Sequence, residues 1–343
     1  MKRLALLILC LCVAGLAHAA EDGLAAFYSG KNIRLTVGSS AGGGTDIVAR
    51  MLARHMGRFI PGKPGILVVN QPGGGGLVGA NRIANSAARD GTEIATMERA
   101  IPQLAFMGDT NVHFDPLALT WLGSLSSYRN DAFMLFVNAD HPAKTAEDLR
   151  PGKMMARLGA SQQGSTNLTF ALIARDVLGL NVTPISGYAG TAKISLAMTA
   201  HEVDGQLMGI VSIQASQRHI WETKAVRPLV QFARHTRHPI LPNVPTGYEL
   251  VQDDAGRALL EFAELPFFMA QSFVAPPSVP ADRAAALRKA FLLMTQDADY
   301  RAEAQKLEID DSPIGHEDIE TLLKKAKNTP KSVVEAFQRV IAR

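Results

Sequence analysis

The chain has 343 residues, 47% hydrophobic and 20% charged, with 35 Lys and Arg against 32 Asp and Glu. At roughly 100–200 residues per domain the length suits two domains, and 29 Gly with 18 Pro lies near background, which excludes collagen-like and disordered classes. A formal charge of +3 implies no broad basic face, so nucleic acid is not an expected partner.

The N-terminus reads as a separate object. Lys2 and Arg3 precede an apolar run from Leu4 to Leu16, and Ala17-His18-Ala19 forms an A-x-A site, the pattern of a secretory signal peptide cleaved after Ala19. The apolar run is shorter than the ~20 residues that a spanning helix needs. Cleavage leaves 343 − 19 = 324 residues, changes the charge to 33 − 32 = +1, and removes Cys10 and Cys12, both of the chain's cysteines. The exported chain then has no disulfide, thiol nucleophile, thiolate zinc site or iron–sulfur cluster. The expectation is a soluble periplasmic protein without metal or cofactor, acting as a monomer.

In chain order, Ile33–Val37 reads as a strand and 38–44 as a loop of Gly, Ser and Ala. Ile47, Val48, Met51 and Leu52 then have helical spacing, with Thr45 as the expected N-cap. A second strand, Ile66–Asn70, closes on Gln71-Pro72 and four glycines. A helix over Val78–Ala88 leads to a third strand at Glu93–Met97. Strands alternating with helices predict βαβ units and a largely parallel sheet. Further on, Ala132–Asn138 and Lys153–Leu158 are strand-like, Thr145–Leu149 begins a short helix, and a helix runs from Thr166 to Leu178 after the loop Gly159–Ser165. The unit of strand, small-residue loop, Thr and helix thus occurs twice, with Thr45 and Thr166 in corresponding places. Pro239–Pro245 suits a return crossing, and Ala281–Ala290 and Ile319–Lys327 read as terminal helices.

A helix start presents unpaired N–H groups and about half a positive charge. A glycine-rich loop before it lets an anion approach the backbone. Loops 38–46 and 160–167 both qualify. Asp46 is awkward in such a site, and its i,i+4 partner Arg50 offers neutralisation on the helix surface. Three other motifs compete. Gly38-Ser39-Ser40-Ala41-Gly42 matches G-x-S-x-G and raises an exported hydrolase with Ser40 as nucleophile, but too few strands precede it for that elbow. Gly74–Gly79 matches G-x-G-x-x-G, a weak signal here that reads as a close-packed loop or a flexible turn. His55, His113, His141, His201, His219, His235, His238 and His316 are scattered without metal-site spacing, and Asp253-Asp254 and Asp310-Asp311 read as solvated faces.

Five segments together resemble the extracytoplasmic solute receptors of tripartite tricarboxylate transporters, the Bug or TctC-like family. They are GSSAGGGTDIVAR (38–50), NQPGGGGLVGANRIANSAARDGTEI (70–94), GYAGTAKISLAM with HEVDGQ (187–206), RPLVQFARHTRHPILPNVPT (227–246) and SFVAPPSVPADRAAALRKAF (272–291). The resemblance implies a type II periplasmic-binding-protein fold of two α/β lobes joined by crossing strands. Lobe 1 would be 20–123 with 240–343, and lobe 2 would be 124–239. It implies a receptor, not an enzyme, that holds a small carboxylate in the interlobe cleft and delivers it to membrane permease subunits; a ligand sensor uncoupled from transport is the other role open to such a fold. Carried over by motif, the ligand residues are Ser39, Ser40, Ala41, Gly42, Gly43, Thr45 and Asp46 in the first loop. In the second they are Ser161, Gln162, Gly164, Ser165, Thr166 and Asn167, with Tyr188 and Gly190 bordering the cleft and Asp204 on the adjoining turn. The chain departs from the family pattern at Ser39-Ser40 and at Gln162-Gln163. Arg99 either pairs with a ligand carboxylate in bidentate fashion or is a solvated arginine.

Overall fold

The computed structural model describes residues 21–342; the proposed signal peptide lies outside them. The chain divides into two compact units. One runs up to Ser126 and resumes over Met269–Lys324; the other is Ser127–Phe268 with the chain from Lys325 onward.

The first unit holds a six-stranded sheet made of β1 (Asn32–Val37), β2 (Gly65–Asn70), β3 (Glu93–Met97), β4 (Thr120–Ser124), β10 (Ser272–Ala275) and β11 (Ile314–Gly315), in the order β11-β4-β10-β3-β1-β2. β1 pairs in parallel with β2 and β3, while the contacts of β10 with β3 and β4, and of β4 with β11, are antiparallel. Both faces are buried. Ile33, Leu35 and Val37, alternate residues of β1, pack with Val48, Met51 and Leu52 of α1 (Gly44–His55) and with Leu287 and Phe291 of the helix Ala281–Gln296. On the other face Ala95 and Met97 meet Ala80 and Ile83 of α2 (Leu77–Asn85), beside Trp121.

The second unit holds β5 (Phe133–Asn138), β6 (Ala156–Gly159), β7 (Val182–Ile185), β8 (Gly205–Gly209) and β9 (Val226–Phe232), in the order β7-β6-β8-β5-β9. β6 is parallel to β7 and β8, and β5 is antiparallel to β8 and β9. Pro184 is tolerated because β7 is an edge strand. Phe133, Phe170, Phe232 and Phe267 pack edge-on or tilted with centroids 5.1–5.6 Å apart. Phe170 comes from α3 (Thr166–Asp176).

The two sheets share a winding. In each, the middle strand of a parallel trio comes first in sequence, and the chain then forms one neighbour, crosses over, and forms the other: β2-β1-β3 and β7-β6-β8. Such a reversal leaves a crevice at the carboxyl end of the middle strand, the usual ligand position in open α/β sheets. The loops 38–43 and 160–165 leave β1 and β6 at that end. The sheets are mixed, not largely parallel, because the strands added beyond β3 and β8 run against them.

The unit boundaries also differ from the expected lobes. Residues 240–268 and 325–343 belong with the second unit. The proline-rich stretch does not return to the first sheet. Gln231 on β9 donates its N–H to Pro245 O at 3.0 Å and its side-chain amide to Leu241 O at 3.2 Å and Val244 O at 2.5 Å, tying that stretch to the strand edge. The terminal helix Lys331–Ile341 packs its Phe337 on Phe262 of α4 (Asp254–Glu264), rings 5.5 Å apart, and Lys325 pairs with Glu261 at 2.7 Å.

Candidate functional site

In the first unit, Asp46 organises the loop. Its carboxylate is buried and accepts from Gly42 N–H at 2.8 Å, Arg50 Nε at 2.9 Å and Asn70 Nδ2 at 2.8 Å. Asn70 also donates to Ser39 O at 3.0 Å and accepts from Arg50 Nη2 at 3.0 Å, so the end of β2 is clamped to the loop after β1. The bond from Arg50, ahead of those from Gly42 and Asn70, holds the Asp46 carboxyl down at about 2 against the opposing effect of burial. The Asp46–Arg50 pair forms as the spacing predicts, but Asp46 lies in the interior and its oxygens are taken by loop donors. It shapes the loop.

Thr45 is not the N-cap. Gly43 takes that place with extended backbone (φ −78°, ψ 167°) and no side-chain cap, and the helix starts at Gly44. The Thr45 hydroxyl, freed from capping, faces the Glu98 carboxyl. Ser39 is half-buried, and its hydroxyl oxygen has no hydrogen-bond partner. Ser40 and Ala41 are exposed; Ser40 O accepts from Gly43 N–H at 3.4 Å. Ser40 does not have the positive φ of a strained nucleophile elbow.

The glycines at 73–76 bring a third segment against this loop. A β-carbon on Gly38 would lie 3.0 Å from Gly76 Cα, so the two loops touch backbone to backbone. Gly38 N–H donates to Thr96 Oγ1 at 3.2 Å, joining the end of β3 as well. Arg99 follows Glu98 on the turn beyond β3 and acts electrostatically on it. Burial pushes the Glu98 carboxyl upward; the Thr45 hydroxyl and the Arg99 charge oppose it.

The second unit repeats the device with different chemistry. Ser165 is the N-cap of α3, in extended conformation and without a side-chain cap. Its hydroxyl instead donates to Asn167 Oδ1 at 2.7 Å. Asn167 is buried; it accepts from Ser161 N–H at 3.1 Å and donates to Ser161 Oγ at 3.2 Å, closing the loop as Asp46 does in the first unit. Gly42 and Gly164 have the same φ of 81° and each immediately precedes its helix N-cap. Gly44 therefore corresponds to Thr166, one residue off the pairing of Thr45 with Thr166. Gln162 and Gly164 are exposed, Gln162 O accepts from Ser165 N–H at 3.0 Å, and Gln163 donates to Ile341 O of the terminal helix.

Tyr188 N–H donates to Ala160 O at 3.2 Å and Gly187 N–H to Ser161 O at 3.3 Å, so the Gly187-Tyr188 turn rides on the second loop. Gly190 is the N-cap of the helix Thr191–Thr199. Asp204 stands apart. It precedes β8 and accepts from Arg157 N–H at 2.7 Å, Nε at 3.1 Å and Nη2 at 2.8 Å. Burial raises its pKa, but the Arg157 donors outweigh that and hold the carboxyl below its usual range. Its oxygens are committed to Arg157, which lies on β6 ahead of the loop, so Asp204 braces β6.

Neither Gly43 nor Ser165 caps its helix with a side chain, whereas Asp253, Asp297 and Thr246 cap other helices; in α3 the Leu168 N–H is taken by Asn167 Oδ1 at 2.9 Å. The first ladder bonds are Ile47 N–H to Gly43 O at 2.9 Å and Thr169 N–H to Ser165 O at 3.0 Å. A strand end, a left-handed glycine and an uncapped helix start make an anion-accepting surface in each unit. Among the described residues no group of His, Cys, Asp and Glu is arranged to hold a metal ion, and no helix is long and apolar enough to cross a membrane.

Residues 48–338 match the model of the tripartite tricarboxylate transporter family receptors. The chain belongs to this family. A UPF0065 protein from Cupriavidus necator is 29% identical over 243 residues, 69% of each chain. A TctC solute-binding protein from Polaromonas superposes with a TM-score of 0.69 at 20% identity, covering 92% of this chain and 99% of its own. A Rhodopseudomonas palustris protein, MatC, solved with bound malate, gives a TM-score of 0.57 at 20% identity, covering 91% and 99%. The two-lobed binding-protein fold and the receptor role follow, and the Ser40 hydrolase reading falls with them.

Sequence reasoning passed over Asn70, Gln71 and Glu98. Asn70 stands at the end of a strand and just before a proline, where a side chain can reach a neighbouring loop; that position is the signal that could have found it. The Gln71 Oε1 atom is buried without a hydrogen-bond partner.

Proposed function

We propose that this receptor binds a small carboxylate through uncapped helix starts, α1 in the first unit and α3 in the second each offering backbone N–H groups and the hydroxyls beside them, and passes it to the permease subunits of a tripartite transporter after export and cleavage behind Ala19. The observation that carries the reading is the repeated device: one left-handed glycine, one uncapped helix start and one buried loop-closing side chain at the carboxyl end of the middle strand in each unit. Such a surface neutralises an anion without a dedicated cation, because the helix pole and several N–H donors share the charge. Arg99, on the turn beyond β3, would add a guanidinium contact. Malate in a neighbour of the same fold is consistent with a small carboxylate.

The test is a thermal-shift panel of mono-, di- and tricarboxylates and aromatic acids on the exported chain. A ligand held at 100 times its Kd adds about 2.7 kcal/mol, and one or more acids should raise the midpoint by several degrees. A panel in which no acid moves the midpoint overturns the reading.

A further inference from the structure

Glu98 has no part in the loop-closing networks described above. It follows β3 at the carboxyl edge of the parallel strands. Its stem lies on Gly76: a β-carbon there would fall 2.4 Å from Glu98 Cγ and 3.2 Å from its Cβ. Gly76 is the N-cap of α2, with a left-handed φ of 93°. The Glu98 carboxylate faces the hydroxyl of Thr45, in the first turn of α1. Ile101 N–H to Glu98 O at 3.0 Å fixes the turn. An acidic group, largely removed from water, therefore stands against the N-cap of one helix and the first turn of another. The charge of the adjoining Arg99 acts on it.

A second carboxylate brought beside Glu98 would meet like charge, whereas a cation would be favoured by it. The first-turn N–H groups of α1, at residues 44–46, lie in the same turn as Thr45. A carboxylate acceptor thus sits next to an anion-binding helix start. That arrangement matches a ligand whose carboxylate and ammonium share one carbon, and both contacts lie within the first unit.

We infer that Glu98 sets the ligand class by accepting a hydrogen bond from a ligand ammonium, so that this receptor selects an amino acid over the same acid without its amino group. The inference rests on the carboxylate-receptor reading of the α1 start and narrows it. A hydroxy acid can donate to Glu98 as well, but it brings no charge to offset a desolvated carboxylate, so it should rank between the two.

The test is calorimetric titration of the exported chain and of Glu98→Gln with three matched series: aspartate, malate and succinate; glutamate, 2-hydroxyglutarate and glutarate; phenylalanine, phenyllactate and phenylpropionate. A hydrogen bond to a charged group corresponds to roughly 10- to 100-fold in affinity, so in at least one series the amino acid should bind that much tighter than the unsubstituted acid. Glu98→Gln, which keeps the shape and the contact with Thr45, should reduce the preference to within about threefold by loss of that bond, leaving the unsubstituted acid unchanged or tighter. Unsubstituted or hydroxy acids binding as tightly as amino acids, or a preference that survives Glu98→Gln, overturns the inference while sparing the carboxylate reading. No binding in any series, with an unchanged wild-type melting curve, overturns both. The wild-type ranking decides the matter even where the variant proves unstable.

Discussion

Replacing Asp46 tests how the first loop is held. The carboxylate is 2% exposed and accepts three donors at 2.8–2.9 Å, from Gly42, Arg50 and Asn70. Hydrogen bonds to a charged group are worth about 1.5–3 kcal/mol each net of water. Arg50, however, is 44% exposed and regains water when released, so its share falls toward the about 0.5 kcal/mol of a surface i,i+4 pair. Gly42 is also exposed and rehydrates. Asp46→Ala should therefore cost about 3 kcal/mol, mostly through Asn70 and the Gly42 turn, and Asp46→Asn, which keeps one acceptor, about 1–2 kcal/mol. The carboxyl is depressed to about 2 in the folded chain, against about 3.9 unfolded. The stability it contributes is thus complete above pH 4 and is lost as the pH falls toward 2. Urea unfolding at pH 7, and again stepwise from pH 4.5 to 2.5, measures both effects. In Asp46→Asn the curve should lie lower at pH 7 and converge on the wild type as the pH falls. A variant that loses less than about 0.5 kcal/mol at pH 7, the scatter of surface substitutions, or that runs parallel to the wild type through the acid range, would refute the assignment of Asp46 as the loop's organiser.

Asn167→Ala removes the equivalent closure in the second loop, where one buried amide bonds Ser161 and Ser165; it should cost about 2 kcal/mol in urea unfolding and weaken ligand binding without moving the ligand ranking. Glu264, buried at the end of α4 and facing the Ala233 N–H and the Tyr248 hydroxyl, is pushed up to about 8 chiefly by burial. Its folded form keeps a proton that the unfolded chain has released, so wild-type stability should decline as pH rises from about 5 to 8. Glu264→Gln should flatten that decline and be the more stable protein at pH 8, by on the order of 2 kcal/mol; an unchanged slope in chemical denaturation across that range would count against the assignment. Gly76→Ala, forced to hold a side chain at φ 93° against Glu98, should lose about 2 kcal/mol by the same assay.

Much of the architecture can be read from the chain because local signals and tertiary packing agree there. β3 runs over Glu93–Met97 as its apolar pattern predicts, and the loops after β1 and β6 carry the glycines that their left-handed turns require at Gly42 and Gly164. The misreadings have a common cause in long-range partners. Thr45 looks like a cap by local rules, but Gly43 already satisfies the extended cap geometry and the Thr45 hydroxyl faces Glu98. Asp46 looks like a surface partner of Arg50 because Asn70, its third donor, lies 24 positions along the chain. Asp204 falls in a motif near the second loop, yet pairing of β6 with β8 sets it beside Arg157. Pro239–Pro245 reads as a crossing only until the side chain of Gln231 is seen to hold it. Arg99 attracts notice as a cation for a carboxylate ligand, while the neighbouring Glu98 derives its character from burial against Gly76, which no local pattern encodes.

The central claim is that backbone N–H groups at the starts of α1 and α3 hold the ligand. Amide-resolved NMR of the 15N-labelled exported chain, titrated with whichever acid gives the largest thermal shift, reads those groups one by one. The account predicts that the largest downfield proton shifts at saturation fall on residues 44–46 of α1 and 166–167 of α3. Saturation that leaves these amides in place while shifting others would contradict it.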